Sequence, residues 1–336
     1  MTLPSSTATP ARVLLAMPEF RSLLGARALA ALGMSAIATV VAFQTWEVTG
    51  DPLSLGLLGL VEAIPALGLM LFGGHVADRR DRRSIILITG SMLALGALVL
   101  AFISTTGEGA SFAGILAVVF AIGVAAGFER PALVAFETQV IPIEHATRGA
   151  SLSGGAWTAA AIIGPAFGGI SIAFVGIPTT YLLIAVALGL SVILVSRISR
   201  KPMPEVEESE SVAHSLAGGV KYVAHHQVLL SSMALDLFAV FFGGAMAMLP
   251  IYATDILGVG PIGLGALRTM PSAGALVAML AAGRWQPRKN AGRILLVCVA
   301  LFGVAMIVFG LSTSFWLSMV ALFAAGLVDG VSMVIR

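Results

Sequence analysis

The chain has 336 residues, of which 58% are hydrophobic and only 11% charged, with a formal net charge of +2. A soluble domain averages about 45–50% apolar and about 25% charged residues. This composition therefore excludes a soluble enzyme, a disordered chain and a nucleic-acid-binding domain, and makes the lipid bilayer the first partner. The single cysteine, Cys298, sits in an apolar run, so no intrachain disulfide and no cysteine-based metal or redox pair is possible.

Residues 1–20 read as a cytoplasmic N-terminal segment. Their apolar piece, 13–17, is shorter than the roughly 7–15 residues of a signal-peptide core. A membrane-spanning helix needs about 20 predominantly apolar residues. Such runs recur at 23–48, 53–76, 84–104, 111–133, 149–174, 178–196, 228–254, 262–283, 292–311 and 315–335, which predicts ten spans. Membrane strands are excluded, because they alternate apolar and polar residues over about 10 positions. The spans group as an N-terminal bundle of six helices, 21–197, and a C-terminal set of four, 228–336. Between them, 198–227 carries Pro202, Pro204 and the acids Glu205, Glu207, Glu208 and Glu210, followed by a mildly amphipathic stretch. It reads as a linker and a short helix on the membrane surface.

Lys and Arg set the orientation. With the N-terminus in the cytoplasm, Arg12, Arg21, the cluster Arg79 to Arg83, Arg130, Arg148, Arg197, Arg200, Lys201, Lys221, Arg284, Arg288, Lys289, Arg293 and Arg336 all fall inside. The outside loops hold Asp51, Glu108 and Asp255 and no Lys or Arg. A multi-pass protein of the cell membrane is expected.

Span 2 ends in Gly73-Gly74-His75-Val76-Ala77-Asp78-Arg79-Arg80-Asp81-Arg82-Arg83. The two glycines suit close helix approach. Asp78 at the membrane edge can satisfy an arginine or helix amides, and the arginines can bind anionic headgroups. The run resembles the G-x-L-A-D-R-x-G-R-K/R signature of the major facilitator superfamily, matched at Gly74, Ala77, Asp78, Arg79, Arg82 and Arg83, with Asp81 where the family has Gly. By that resemblance, Asp78 and its basic neighbours gate the cavity. A purely anchoring role for the arginines is the other reading. In span 5, Gly164-Pro165-Ala166-Phe167-Gly168-Gly169 resembles the G-x-x-x-G-P-x-x-G-G element of exporters in the same superfamily, with Ala160 in place of the first Gly. Pro165 kinks the helix, and Gly164, Gly168 and Gly169 open a packing face. Trp46 to Pro52, Glu129-Arg130-Pro131-Ala132, Leu249 to Ala253 and Leu264 to Pro271 resemble the enterobactin-exporter-like and macrolide-efflux-like branch.

The resemblance implies an all-α membrane protein built as a major facilitator-type bundle, here a complete N-terminal half plus four helices of the C-terminal half. It implies alternating access to a midplane site. In the family, the signature Asp acts on a helix 11 that this chain does not contain, so a truncated, non-transporting protein is a further expectation. The loop 283–293 reads as a second copy of the signature without its acid.

Ionisable residues inside a membrane are expensive and are functional candidates. They are Arg27, Glu62, Asp236, Arg268 and Asp329. Glu62 is followed closely by Pro65 and suits proton exchange. Asp236 and Arg268 are candidates to pair across adjacent helices. Arg27 can snorkel to the inner surface. The expected function is proton-coupled export of a small amphipathic molecule of drug or siderophore class. An importer or facilitator is the alternative. No enzyme motif, P-loop or metal-binding cluster occurs, so no cofactor and no nucleic-acid partner is expected.

Overall fold

The computed structural model describes residues 10–105, 111–202, 244–282 and 291–335. Among these residues it contains ten α-helices and no strand. A short α1 (Pro10–Ala16) leads into α2 (Pro18–Thr49), α3 (Pro52–Arg79), α4 (Arg82–Thr105), α5 (Phe112–Val140) and α6 (Ala146–Ser196). After residues 203–243 come a 3-10 turn (Gly244–Met248), the single turn α7 (Leu249–Ile251) and a π-turn (Tyr252–Ile256). Then follow α8 (Gly260–Ala282), α9 (Ala291–Leu311) and α10 (Phe315–Ile335). Eight helical segments among the described residues are long and apolar enough to cross a bilayer. Most of the predicted span 228–254, with Asp236, and all of the predicted surface helix lie outside the described residues.

Helix ends follow from local chemistry. Gly50 takes the left-handed conformation at the end of α2 (φ 58°), and its N–H bonds Trp46 O at 2.9 Å. Asp51 then caps α3 by accepting from Leu53 N at 3.0 Å, and Pro52 occupies the first turn. Glycine after a helix and Asp-Pro before one are favoured for these reasons. The sequence Gly-Asp-Pro thus turns the chain back within three residues. At the opposite end, Asp81 begins α4. Its carboxylate accepts from Arg83 N at 3.2 Å and Ser84 Oγ at 2.7 Å. The departure from the family's Gly is therefore an N-cap, and the turn does not need glycine here.

The α6 element joins two predicted spans. Gly176 (φ 78°, ψ 170°) breaks the helical path within it. The two legs run in opposite directions along α2. On the first, Gly164 packs at Leu32 and Ser35, and Gly168 at Ala36 and Val40. On the second, Tyr181 Oη donates to Gln44 Oε1 at 2.9 Å, and Ser191 Oγ donates to Ala26 O at 2.8 Å. Gln44 also donates to Ser104 on α4 at 2.8 Å. This buried chain of three side chains ties α2, α4 and α6, with every polar group satisfied as a low-dielectric interior requires.

Small residues set the helix spacing. A Cβ on Gly123 of α5 would lie 2.5 Å from Glu62 O, and one on Gly73 of α3 would lie 2.5 Å from Gly127 O. The α3–α5 seam is thus backbone against backbone. The sequence grouped Gly73 with Gly74, but only Gly73 packs this way; Gly74 faces open space. Helices in lipid associate by such close packing rather than by expulsion of water. Replacing Gly73 by Leu should overpack the seam and cost about 1–3 kcal/mol, lowering the thermal midpoint of the detergent-solubilised protein. Gly74→Ala should leave that midpoint unchanged.

Candidate functional site

The signature turn lies between α3 and α4. Asp78 is 72% exposed, and its Oδ1 lies 3.6 Å from Arg82 Nη2, one helical turn on. Arg82 is the more buried partner. It also donates from Nε to Ala77 O at 3.1 Å and from Nη1 to Ala135 O on α5 at 3.3 Å. Arg83 Nη2 donates to Ser196 O at the end of α6 at 2.6 Å. Arg82 and Arg83 therefore clamp the turn to two neighbouring helix ends, while Asp78, Arg79 and Arg80 face outward.

The Gly164–Gly169 motif is where the first six helices meet the later ones. A Cβ on Gly265 of α8 would lie 2.6 Å from Pro165 O, and one on Gly169 would collide with Pro261 O. Thr269 Oγ1 sits 3.0 Å from Ile162 O on α6 and 2.8 Å from Gly265 O on its own helix. Nearby, Trp46 Nε1 donates to Asp255 Oδ1 at 3.4 Å, a second tie from α2 to the π-turn before α8. Both ties lie between mid-depth and the end of the bundle where α3 and α8 begin.

The ionisable residues sort by depth along their helices at 1.5 Å per residue. Glu62 lies about 15 Å below the start of α3 and Arg268 about 12 Å below the start of α8, near the middle of a hydrocarbon core of about 30 Å. Glu62 lines a narrow cleft of about 20 Å³ whose other walls are apolar: Met34, Ile37, Ala38 and Val41 of α2, Leu58 of α3, and Val119 and Ile122 of α5. The Arg268 guanidinium lies within Coulombic reach of Glu62, with no direct ion pair between them. Arg130 reaches both Glu62 and Glu129 in the same way.

Deeper, Arg27 of α2 forms a direct ion pair with Glu137 of α5, both side chains mostly shielded. The sequence reading let Arg27 snorkel to the surface; a partner within the bundle holds it instead. The pairing was hidden by a helix boundary. Span 4 was placed at 111–133, whereas α5 continues through Pro131 to Val140 and carries Glu137 with it. Lipid-embedded helices tolerate such an interior proline because their neighbours re-satisfy the backbone. Glu129 and Arg130 were read as branch-like wording, and Arg130 as a basic residue of the cytoplasmic loop, since they fell at the expected end of that span; α5 instead carries both within it. Asp329 stands exposed near the end of α10, and the pairing of Asp236 with Arg268 lies outside the described residues.

Removing one member of a shielded ion pair leaves the other uncompensated. Glu137→Gln should destabilise the protein by about 2–4 kcal/mol, discounted from a fully buried pair because both groups keep some exposure. Adding Arg27→Gln should recover part of that loss, read as non-additive thermal midpoints in a double-mutant cycle.

Comparison with known proteins agrees with this architecture. The multidrug efflux pumps Tap of Mycobacterium tuberculosis and Mycobacterium bovis are 27% identical over 232 residues, 65% of this chain and 54% of theirs. The chain thus spans about half the length of the curated relatives it matches. A bacterial homolog of the human lysosomal transporter Spinster, solved inward-facing and unoccupied, superposes with a TM-score of 0.68 at 17% identity, covering 98% of this chain and 76% of that one. A D-xylose–proton symporter gives a TM-score of 0.64 at 9% identity over 94% of this chain and 80% of that one. These two likenesses establish the fold. The family model of the Major Facilitator Superfamily matches residues 23–335, nearly the whole sequence, and the chain belongs to that superfamily.

Proposed function

We propose that the protein is a proton-coupled exporter of small amphipathic molecules, working by alternating access in the cell membrane with its N-terminus in the cytoplasm. The observation that carries this reading is a single carboxylate, Glu62, set at mid-depth in an otherwise apolar cleft. A carboxylate in an apolar surrounding is costlier as an anion than as an acid. Taking up or losing a proton changes the net charge of the cleft by one unit. Only a difference of this kind between two conformations can shift their populations.

The α6–α8 crossing supplies the moving joint in this account. There backbone packs on backbone through Pro165, Gly169, Pro261 and Gly265. The exporter direction is supported by the Gly164–Gly169 motif and by the efflux-pump name of the Tap relatives. The orientation is supported by the one-sided placement of Lys and Arg in the sequence. Asp78, with Arg79, Arg82 and Arg83, is assigned to gating at the cytoplasmic face. The organisation into an N-terminal six-helix bundle, a surface linker and a C-terminal set of helices belongs to the same proposal.

The test is uptake of a fluorescent cationic drug into inside-out vesicles, whose lumen is the outer side, with an imposed pH gradient. The wild-type protein should accumulate drug when the vesicle lumen is acidified and stop when the gradient is collapsed. Glu62→Gln should reduce accumulation to the level of protein-free vesicles while the protein remains folded and membrane-inserted. Gradient-driven efflux that survives Glu62→Gln would remove Glu62 from the coupling role. Accumulation driven by the opposite gradient alone would replace export with import.

A further inference from the structure

The first leg of α6 carries two packed stripes. Gly164 and Gly168 press on α2 at Leu32, Ser35 and Ala36, while Pro165 and Gly169 press on α8 at Gly265 and Pro261. Residues seven or eleven apart stand within about 20° of each other around a helix. Trp157 therefore continues the α2 stripe toward the start of α6, seven residues before Gly164 and eleven before Gly168. Gly154 continues the α8 stripe, eleven residues before Pro165. Here both stripes are uncovered. Trp157 is 54% exposed, and a Cβ on Gly154 would meet nothing within 4 Å. The helices thus touch at the crossing and part toward the start of α6, leaving a gap with Trp157 in its wall.

The lipid-facing side of the same leg is a different one. Exposed Ile163, Ile170 and Phe174 mark it, and they lie roughly 100–140° around the helix from Trp157. Depth separates Trp157 from an interfacial anchor as well. It stands eleven residues into α6, which begins at Ala146, or about 16 Å along the axis. Aromatic belts sit at the headgroup level, whereas this indole is near the middle of a hydrocarbon core of about 30 Å. Among the described residues its ring has no aromatic neighbour and its N–H no hydrogen-bond acceptor. With Gly164 beside Leu32 and Ser35, the parallel path of α2 brings Arg27 to about this level. Glu137 neutralises it, so that pair adds no net charge to the gap.

An indole face is a broad apolar surface with a negative quadrupole. It attracts flat rings by stacking and cations by charge, and the second attraction grows where water is excluded. We infer that Trp157 is the ligand platform of this gap, on which a flat aromatic cation stacks. The inference rests on the proposal that substrate passes between the two sets of helices, and it narrows the substrate class from amphipathic molecules to flat aromatic cations.

Two measurements on the full chain in lipid nanodiscs test it. The triple variant Trp46→Phe, Trp285→Phe, Trp316→Phe keeps Trp157 as its one tryptophan. Its emission should be quenched by acrylamide from water and not by lipids brominated on their acyl chains. Strong quenching by the brominated lipids puts the indole in the bilayer and overturns the inference. The second measurement is binding of ethidium, read from the anisotropy of its own fluorescence against protein-free nanodiscs. The wild-type protein should bind it. Trp157→Leu should weaken binding about 10-fold, the worth of a desolvated cation–π contact, with the thermal midpoint unchanged, and Trp157→Phe should keep most of the affinity. N-methylphenanthridinium should displace ethidium at least about 10-fold better than phenanthridine, the same ring without the charge. No binding to the wild-type protein, equal binding to Trp157→Leu, or equal displacement by the two rings overturns the inference. Binding is read without a proton gradient, so a failure here leaves the vesicle test of proton-coupled export standing, and the reverse also holds.

Discussion

Helices in a bilayer are surrounded by hydrocarbon as apolar as their own side chains, so water does not drive them together. What remains is contact, and contact improves as backbones approach. The α6–α8 crossing shows the consequence most clearly. With glycine on both sides and proline carbonyls turned into the gap, Gly169 and Gly265 leave no room for a single added carbon. Ties between the later helices and the first six lie through or beside this crossing: Thr269 at Ile162, Trp46 at Asp255, and the apolar core shared by α2, α6 and α8. A joint of this kind is tight yet smooth, and it resists separation far more than rotation.

The same absence of water sorts the charges. Arg27 and Glu137 lie near the far boundary of the bundle and neutralise each other directly. Arg82 and Arg83 lie at the membrane edge and spend their hydrogen bonds on carbonyls at helix ends, so they hold the signature turn against α5 and α6. At the end of α6, Lys201 pairs with Glu19 at 2.6 Å, joining the chain leaving the first six helices to the start of α2. Structural roles thus account for the charges near the surfaces. Glu62 and Arg268 stand apart: they are near mid-depth, and neither forms an ion pair among the described residues.

Much of this was legible in the sequence, and the reasons are specific. Long apolar runs bounded by Gly-Asp-Pro or by arginines can only be spans in this composition, and nine of the ten predicted spans coincide with described helices, two of them joined as α6. The Pro165–Gly169 run announced a close-packed face, although the partner helix could not be named from one sequence. The failures share a cause. The apolar run of span 4 ended at 133, so Glu137 was left in a loop and Arg27 lost its partner, whereas α5 continues through Pro131 to Val140. In water an interior proline usually does end a helix, but in a membrane neighbouring helices let it continue. Asp81 stood out only as a departure from the family's glycine, and its carboxylate makes an N-cap. Side-chain pairs between distant spans, such as Gln44 with Tyr181, leave no local signal at all.

The central claim is that two sets of helices rock about the α6–α8 crossing. Paired spin labels in a Cys298→Ser background test it most directly. One pair, at Leu53→Cys and Ile262→Cys, spans the end where α3 and α8 begin. The other, at Ile143→Cys and Met333→Cys, spans the opposite end. On acidification in lipid nanodiscs, the two distance distributions should shift in opposite senses, one opening as the other closes. Distances that stay fixed at both ends, or that lengthen together, would contradict a rocking joint at this crossing.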